Sequence, residues 1–331
     1  MKSRVAILEA RPETIADDYH RLLKLAGLLP PDSLPWDLLA CVQEGRSWQP
    51  GRSCPPWQVR GMAEALADGA GLLAVGAQGS MAAADRLRAL LASEERETKE
   101  IVTWAGAALE TVPYRAVRPL PALEGSLEAG LELSPHLRDR RPLLLTPVSL
   151  AEGGRLQAAV SALADWLAPK RRRRGRIPES EVLAEVLGLA RELFTGLGVV
   201  CDATVLGLRR RGGARVSLDR NLLVAGADPV AVDAVLARLL GLRLESLPWL
   251  RLAQRRGVGN SEVSRIEVLG DGHLTDLDFQ IPADSFAAGQ RGWLSRRLPA
   301  VLARGAEAAD RDAGDSPWQG LHNDFQTGAV S

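Results

Sequence analysis

The residue best suited to chemistry in this sequence is Asp202, an acidic side chain within the apolar strand pattern LGVVCDA at 197–203. Open α/β sheets bind ligands at the carboxyl ends of their strands, where a carboxylate can act as a general acid or base. A strand-end aspartate is equally often a plain loop cap, and the sequence leaves both roles open. The run LRRRGGAR at 208–215 follows, and its glycines and arginines could hold a phosphate.

A second basic run, PKRRRRGR at 169–176, places five arginines and a lysine within eight residues. It is either a phosphate or nucleic-acid contact or a solvated loop between two helices. Nucleic-acid binding is the weaker interpretation, since no aromatic residue is interleaved and 41 basic residues balance 41 acidic ones. Neither basic run has the spacing of a nucleotide-binding phosphate loop.

The remaining candidate chemistry is sparse. His20, His136, His273 and His322 are far apart, and none lies three or four residues from another histidine or a cysteine. The glycines of VGAQGSMAAAD at 75–85 follow a strand pattern but lack the third glycine of a dinucleotide-binding turn. We therefore predict no metal site and no bound cofactor.

Composition limits the class of protein. The 331 residues are 46% hydrophobic, which is enough for a large α/β core, and the net charge is zero. The opening MKSRVAILEARPET has no signal-peptide pattern, and no uncharged apolar run reaches the roughly 18 residues of a membrane helix. Cys41, Cys54 and Cys201 form no CxxC pair. We expect a cytoplasmic protein with reduced thiols and no membrane contact.

Short apolar strand patterns alternate with amphipathic helical patterns along the chain. This alternation predicts an α/β fold with helices layered around a largely parallel or mixed β-sheet. The predicted strands lie at 5–8, 38–42, 72–76, 101–105, 143–148, 197–203 and 264–270, with another opening the stretch 221–242. The predicted helices begin near Pro12, Pro56, Pro229 and Pro248, or cover 81–94 and 182–194.

Local signals also predict helix caps and domain limits. Asp228 is a helix N-cap before Pro229, Asp233 lies one turn further on, where it favours the helix dipole, and Ser246 is a second cap. One α/β domain is expected over 1–304, with an internal boundary, if there is one, in the arginine-rich loop near 169–178. The polar segment 305–331 is predicted to be a partly ordered tail.

Four stretches resemble the domain-of-unknown-function-362 family. The most specific is VAGADPVAVDAVLARLLGLRLESLPWLRLAQRRGVG at 224–259, which is similar to the family's DPVAVDAV run, PYIRLA stretch and GLG turn. SWQPGRSCPPWQVRGMAEAL at 47–66 is similar to a family loop and helix. VAILEARPETIADDYHRLLKLAGL at 5–28 and DSPWQGLHNDF at 315–325 resemble its two ends.

The departures from the family pattern replace groups able to bind an anion or transfer a proton by neutral or apolar groups. Lysine, histidine and asparagine of the pattern are replaced by Gln43, Gly45, Gln49, Ser149, Ala151, Val160 and Ser161. The iron–sulfur cysteine segments of many members are also absent. The resemblance thus implies that the usual acids, bases and phosphate contacts are lost, while scaffold residues remain. Trp48 and Trp57, in the rigid loop, would then serve packing.

The resemblance leaves two functions open. One is a non-catalytic paralogue acting as a structural or regulatory subunit, with another family member or a second copy of itself as partner. The alternative is an enzyme with altered chemistry on a small anionic substrate, in which Asp202 is the acid or base and arginines replace the lost lysines. The arginines in question are Arg46, Arg52, Arg209, Arg210 and Arg211.

Overall fold

The structure, a computed structural model, describes residues 2–29, 36–42, 48–67, 72–77, 85, 101–103, 110–112, 114–124, 127, 131–133, 140–151, 155–167, 178–209, 215–276 and 316–327. The predicted helix at 81–94, apart from residue 85, lies outside this part of the chain. The basic run at 169–176 and Arg46, Arg210 and Arg211 lie outside it as well.

The described residues form eleven β-strands and seven α-helices. The strands are β1 (Ser3–Glu9), β2 (Trp36–Ala40), β3 (Leu72–Ala77), β4 (Ile101–Thr103), β5 (Glu110–Val112), β6 (Leu131–Leu133), β7 (Pro142–Ala151), β8 (Arg155–Gln157), β9 (Gly198–Arg209), β10 (Arg215–Gly226) and β11 (Ile266–Gly270). The helices are α1 (Ile15–Ala26), α2 (Pro56–Ala67), α3 (Ala159–Leu167), α4 (Glu179–Leu193), α5 (Pro229–Leu239), α6 (Pro248–Arg255) and α7 (Pro317–Thr327).

Nine of these strands form one sheet in the order β11-β1-β10-β9-β7-β2-β3-β4, with β8 paired to β7. Along this order only β10 runs against its neighbours, because it pairs antiparallel with both β1 and β9. A short connection joins β9 to β10, as antiparallel pairs allow, whereas the parallel strands need longer crossovers. The predicted α/β fold with a largely parallel or mixed sheet is confirmed.

The side chains of β1 show how the sheet separates two cores. Val5 and Ile7 point into one core and Ala6 and Leu8 into the other, because successive side chains of a strand point to opposite faces. Helices α1, α2 and α7 pack on the Ala6 face, and α3, α4, α5 and α6 pack on the Val5 face. The molecule therefore has three layers, with the sheet in the middle.

The two predicted helix caps have different outcomes. Asp228 caps α5 as predicted, since its Oδ1 accepts hydrogen bonds from the backbone N–H groups of Val230 and Ala231. Ser246 does not cap α6. Its hydroxyl donates to the carbonyl of Arg243 at 2.6 Å and closes a 3₁₀ turn, so that the residue before the helix is Leu247.

The polar C-terminal segment, predicted as a tail, contains helix α7, which packs on the sheet. Trp318 of this helix is fully buried, and its indole N–H donates to Asn221 Oδ1 at 2.8 Å. One large aromatic side chain supplies enough buried apolar surface to dock a helix that is otherwise polar. Within the described residues, no helix has the length and apolar character needed to cross a bilayer.

Candidate functional site

A cleft of about 340 Å³ opens at the carboxyl edge of strands β2, β7 and β9. Cys41 directly follows β2, Ser149 lies near the end of β7, and Gly207 lies near the end of β9. Ligand sites of open α/β sheets lie at this edge. The polar side chains of the lining are Cys41, Arg52, Thr146, Ser149, Arg155, Gln157, Ser161 and Asp165.

One wall of the cleft is the loop between β2 and α2, which lies directly on the sheet. Gly51 has a left-handed φ of 71°. A Cβ atom there would lie 2.7 Å from both Gly207 Cα and Ser149 Cβ. A Cβ atom on Gly207 would in turn lie 2.6 Å from the carbonyl oxygen of Pro50. The two glycines therefore allow backbone to touch backbone, which fixes the position of this wall.

We expect Gly207→Ala to displace this wall. The added methyl group meets backbone atoms that cannot rotate away, so the loop must shift, at a cost of roughly 1–3 kcal/mol in the free energy of unfolding. Urea denaturation of the variant beside Gly272→Ala measures the cost. Gly272 is the control because a Cβ atom there meets nothing within 4 Å. Equal stability of the two variants would show that the loop does not rest on Gly207.

The back of the same loop is held by aromatic contacts. The ring centroids of Trp48 and Trp57 are 4.9 Å apart in an edge-to-face arrangement, and Trp57 lies 5.3 Å from Trp318. The Trp48 ring also lies 5.7 Å from the ring of His322 on α7. The prediction that Trp48 and Trp57 serve packing is confirmed. The front of the loop, with Arg52, faces the cleft.

Two opposite charges and a thiol lie together in the cleft. Arg52 is exposed and donates from Nη1 to Gln49 Oε1 at 3.1 Å, and Asp165 is exposed on α3. Burial raises the pKa of the Cys41 thiol to about 12, the negative charge of Asp165 adds to this, and Arg52 opposes it. Cys41 is therefore a protonated thiol at neutral pH and a poor nucleophile.

Asp202 lies elsewhere, in the core beneath the loop. It is 2% exposed, and its Oδ2 accepts the Tyr19 hydroxyl at 2.5 Å and the Trp57 indole N–H at 3.2 Å. Its Oδ1 accepts both the backbone N–H and the hydroxyl of Thr204, at 2.9 and 2.6 Å. Burial raises the pKa of this carboxyl, and these four hydrogen bonds oppose the rise. Asp202 does not line the cleft.

The position of Asp202 in its strand also differs from the prediction. Strand β9 continues to Arg209, so Asp202 is the fifth of twelve residues and not the strand end. The parallel pairing of β7 with β9 is interrupted just after it. Pro147 pairs with Asp202, but Ser149 already pairs with Gly207. Within this irregular stretch the Asp202 carboxylate accepts the backbone N–H of Thr204. This is a structural role, which the sequence left open beside the catalytic one.

The structure describes the five predicted arginines to different extents. Only the Arg52 side chain is described, and it lines the cleft. Arg209 ends β9, and its backbone alone is described, paired with that of Arg215 on β10. Each of these two strands also contributes a lining residue, Leu208 from β9 and Val216 from β10.

Sequence reasoning missed Asp165, the acidic residue of the cleft. Its signal was the helical spacing of Ser161, Ala162, Asp165 and Trp166, all of which line the cleft from α3. Residues three and four positions apart share one helix face, so the sequence pattern could have identified this polar face of the helix as well as its apolar face. Ser149, Ala151 and Ser161 line the same cleft.

Asp233 is a second buried carboxylate with a structural partner. It projects from α5 and accepts hydrogen bonds from the first N–H groups of α3, those of Ala159 at 2.8 Å and Val160 at 3.0 Å. The sequence predicted that it favours its own helix, but it stabilises the start of a neighbouring one. Burial raises its pKa to about 7, although the two N–H donors favour the charged form.

The described residues contain no group of three or more histidine, cysteine, aspartate or glutamate side chains able to hold a metal ion. Comparison of the chain with protein-family models and with curated proteins finds no match, and no solved structure matches it. The cleft offers two cations, Arg52 and the Glu179-paired Arg155, together with the carboxylate of Asp165 and several neutral hydrogen-bonding groups. This arrangement is suited to binding a small polar molecule.

Proposed function

We propose that this protein is a non-catalytic member of the domain-of-unknown-function-362 family, which binds a small anionic molecule in the cleft and acts as a structural or regulatory subunit. One observation carries the proposal. The cleft is open at the ligand-binding edge of the sheet, yet its lining among the described residues has neither histidine nor lysine. Its thiol has a pKa of about 12 and stays protonated. In this proposal ligand binding is retained, and the histidine and lysine groups that commonly transfer protons are absent from the described lining.

Arg52 supports the anionic character of the ligand. Its guanidinium group uses one N–H for Gln49, so that most of its five donors can bind a carboxylate or phosphate in the cleft. Arg155 contributes less positive charge to the cleft, because it forms an ion pair with Glu179, in which its Nη1 donates to Oε2 at 2.6 Å. Ser149 and Gln157 bond one another at 3.2 Å and supply neutral polar groups to the cleft.

The alternative function, an enzyme that uses Asp202, receives less support from this geometry. A general acid or base must come within hydrogen-bond reach of the substrate, directly or through one water. The Asp202 carboxylate is enclosed by Tyr19, Trp57 and Thr204 and lies outside the lining of the cleft. The partner in this proposal is another family subunit or a second copy of the chain, in the cytoplasm, where the free thiols stay reduced.

The proposal predicts that Arg52→Gln weakens anion binding by at least about tenfold, because a charge-assisted hydrogen bond is lost. Isothermal titration with succinate and with inorganic phosphate measures the affinity of the natural protein and the variant. Arg11→Gln is the control, since Arg11 is exposed and does not line the cleft. Equal affinity in all three proteins, or no binding of either anion, would refute the proposal.

Two further measurements test the non-catalytic and subunit parts of the proposal. Mass spectrometry of a bound ligand after prolonged incubation should return it unchanged, and a steadily accumulating product would establish an enzyme.

Native mass spectrometry of the protein drawn gently from its own cytoplasm should show a second subunit in fixed ratio. A lone chain would contradict the subunit role while leaving ligand binding intact.

A further inference from the structure

Three hydroxyl side chains line the cleft, and each already uses its proton within the protein. Thr146 and Ser161 each donate to a backbone carbonyl oxygen at 3.1 Å. Because a carbonyl oxygen carries no proton, the hydroxyl must be the donor in both bonds. Ser149 donates to Gln157 Oε1 at 3.2 Å. With these bonds in place, the three hydroxyl groups offer a ligand the lone pairs of their oxygen atoms.

This hydrogen-bonding pattern determines the kind of ligand group that fits. A group that meets these oxygen atoms must donate a hydrogen bond, and a ligand hydroxyl does so without carrying charge. An ammonium group also donates, but its desolvation is much more costly and neutral oxygen atoms compensate for it poorly. The oxygen of Gln157 accepts from Ser149, so its NH₂ group can donate to the oxygen of a ligand hydroxyl. Hydroxyl groups therefore suit both the acceptors and the donor of this lining.

We propose that the cleft binds a polyhydroxy carboxylate of the sugar-acid class, with its carboxylate on Arg52 and its hydroxyl groups on the oxygen atoms of Thr146, Ser149 and Ser161. This inference rests on the proposed function, and it specifies the ligand class of that same cleft. A guanidinium group binds a carboxylate through two parallel N–H donors. Gln49 accepts from Nη1 of Arg52, which leaves the other donors for such a pair.

The carboxylate-binding group and the hydroxyl acceptors are adjacent in the fold. A Cβ atom on Gly51 would lie 2.7 Å from Ser149 Cβ, and Arg52 is the next residue of the chain. Ser149 pairs with Gln157 where β8 meets β7, and Ser161 follows Gln157 by four residues, in the first turn of α3. One ligand can therefore contact the guanidinium group and the hydroxyl groups together.

The volume and charge of the cleft agree with a ligand of this class. A water molecule occupies about 30 Å³ of liquid, so 340 Å³ holds on the order of ten non-hydrogen atoms, about the size of a five-carbon sugar acid. A second negative charge on the ligand would find less support, because Arg155, the other cation of the described lining, pairs with Glu179. A monocarboxylate with several hydroxyl groups thus uses the lining more fully than phosphate or succinate does.

The test compares three ligands with the same carbon chain. Ribonate carries the carboxylate and the hydroxyl groups, pentanoate keeps the carboxylate alone, and ribitol keeps the hydroxyl groups alone. Isothermal titration measures their affinities for the natural protein and for Arg52→Gln, Ser149→Ala, Ser161→Ala and Ser246→Ala. Ser246→Ala is the matched control, since Ser246, like Ser161, donates to the carbonyl oxygen three residues before it, but it does not line the cleft. Similar Tm values are expected to show that the serine variants fold alike.

We expect the natural protein to bind ribonate at least about tenfold more tightly than pentanoate, because ligand hydroxyl groups donate to the acceptor oxygens of the lining. Ser149→Ala and Ser161→Ala should each reduce this preference by about threefold or more and leave the affinity for pentanoate unchanged. Ser246→Ala should change neither affinity. Arg52→Gln should weaken the binding of ribonate and of pentanoate alike.

The outcomes separate this inference from the proposed function. Equal, Arg52-dependent affinity for ribonate and pentanoate would overturn the inference and leave the proposed function standing. Binding of succinate or phosphate without binding of ribonate would do the same. A preference for ribonate that survives in both Ser149→Ala and Ser161→Ala would overturn the assignment of the hydroxyl acceptors. Ribitol binding as tight as that of ribonate, or failure of every anion to bind, would overturn both the inference and the proposed function.

Discussion

Replacing Asp202 by alanine is expected to lower the free energy of unfolding by about 4 kcal/mol, because four buried donors lose their acceptor together. The Tyr19 hydroxyl, the Trp57 indole N–H and both the backbone N–H and the hydroxyl of Thr204 bond this carboxylate, and none of these residues has a solvent-exposed side chain. Urea denaturation of the variant beside the natural protein measures the loss.

Two companion variants separate the hydrogen-bonding role from charge. Asp202→Asn keeps an oxygen for Thr204 but turns an amide NH₂ toward the Trp57 N–H, so a smaller loss of about 1–2 kcal/mol is expected. Asp17→Ala, at an exposed site on α1, should change stability by less than about 0.5 kcal/mol. If Asp202→Ala were as stable as the natural protein but bound ligand poorly, Asp202 would belong to the site and not to the core.

Asp233 is expected to make stability fall as pH rises from about 4 to about 7. Burial raises its pKa from an ordinary value near 3.8 to about 7, so the folded protein keeps a proton that the unfolded chain has released. The stability that this group contributes is complete below pH 4 and is lost on the way to pH 7. At 1.36 kcal/mol per pH unit, the loss is of the order of 4 kcal/mol.

The measurement is urea denaturation of the natural protein and of Asp233→Asn at pH 4, 5.5, 7 and 8. The asparagine does not titrate, so the stability difference between the two proteins isolates Asp233 from the other acidic groups. The natural protein should have its largest relative advantage at pH 4, and the advantage should shrink toward pH 7. An advantage that grows above pH 4 would mean that the N–H groups of Ala159 and Val160 outweigh burial and hold the carboxylate ionised.

The regular part of the fold follows from local patterns that the sequence states directly. The helix over Pro56–Ala67 and the cap at Asp228 are where the apolar period and the Asp-Pro pair place them. The errors lie at boundaries that pairing and packing in the folded chain decide. Strand β9 continues beyond 203 because β10, which follows it after a short connection, pairs with it. Helix α7 packs where the Trp318 indole N–H donates to Asn221, 97 residues away.

The functional site, too, was predictable from the sequence only in part. The loop of Trp48 and Trp57 could be recognised as rigid and packed, because prolines and tryptophans restrict the chain locally. The role of Asp202 could not be assigned from the sequence, since an aspartate among apolar neighbours suits both a buried hydrogen-bond acceptor and an active-site acid. Tyr19, 183 residues away, is one of the donors that decide it. Asp165 was missed for the converse reason, because it is an ordinary exposed residue in the sequence and only the fold places it in the cleft with Arg52.

Local sequence patterns were sufficient to predict the layered α/β class, a largely parallel or mixed sheet, and the packing role of the tryptophan loop. Each of these depends on hydrophobic period, turn residues and steric restriction over a few neighbouring positions. The tertiary structure alone decided that Asp202 is a core acceptor, that Asp233 serves a different helix, and that Arg52 and Asp165 face one cleft. The reason is that hydrogen bonds and charges act over a few ångströms of space, whatever the number of residues between them along the chain.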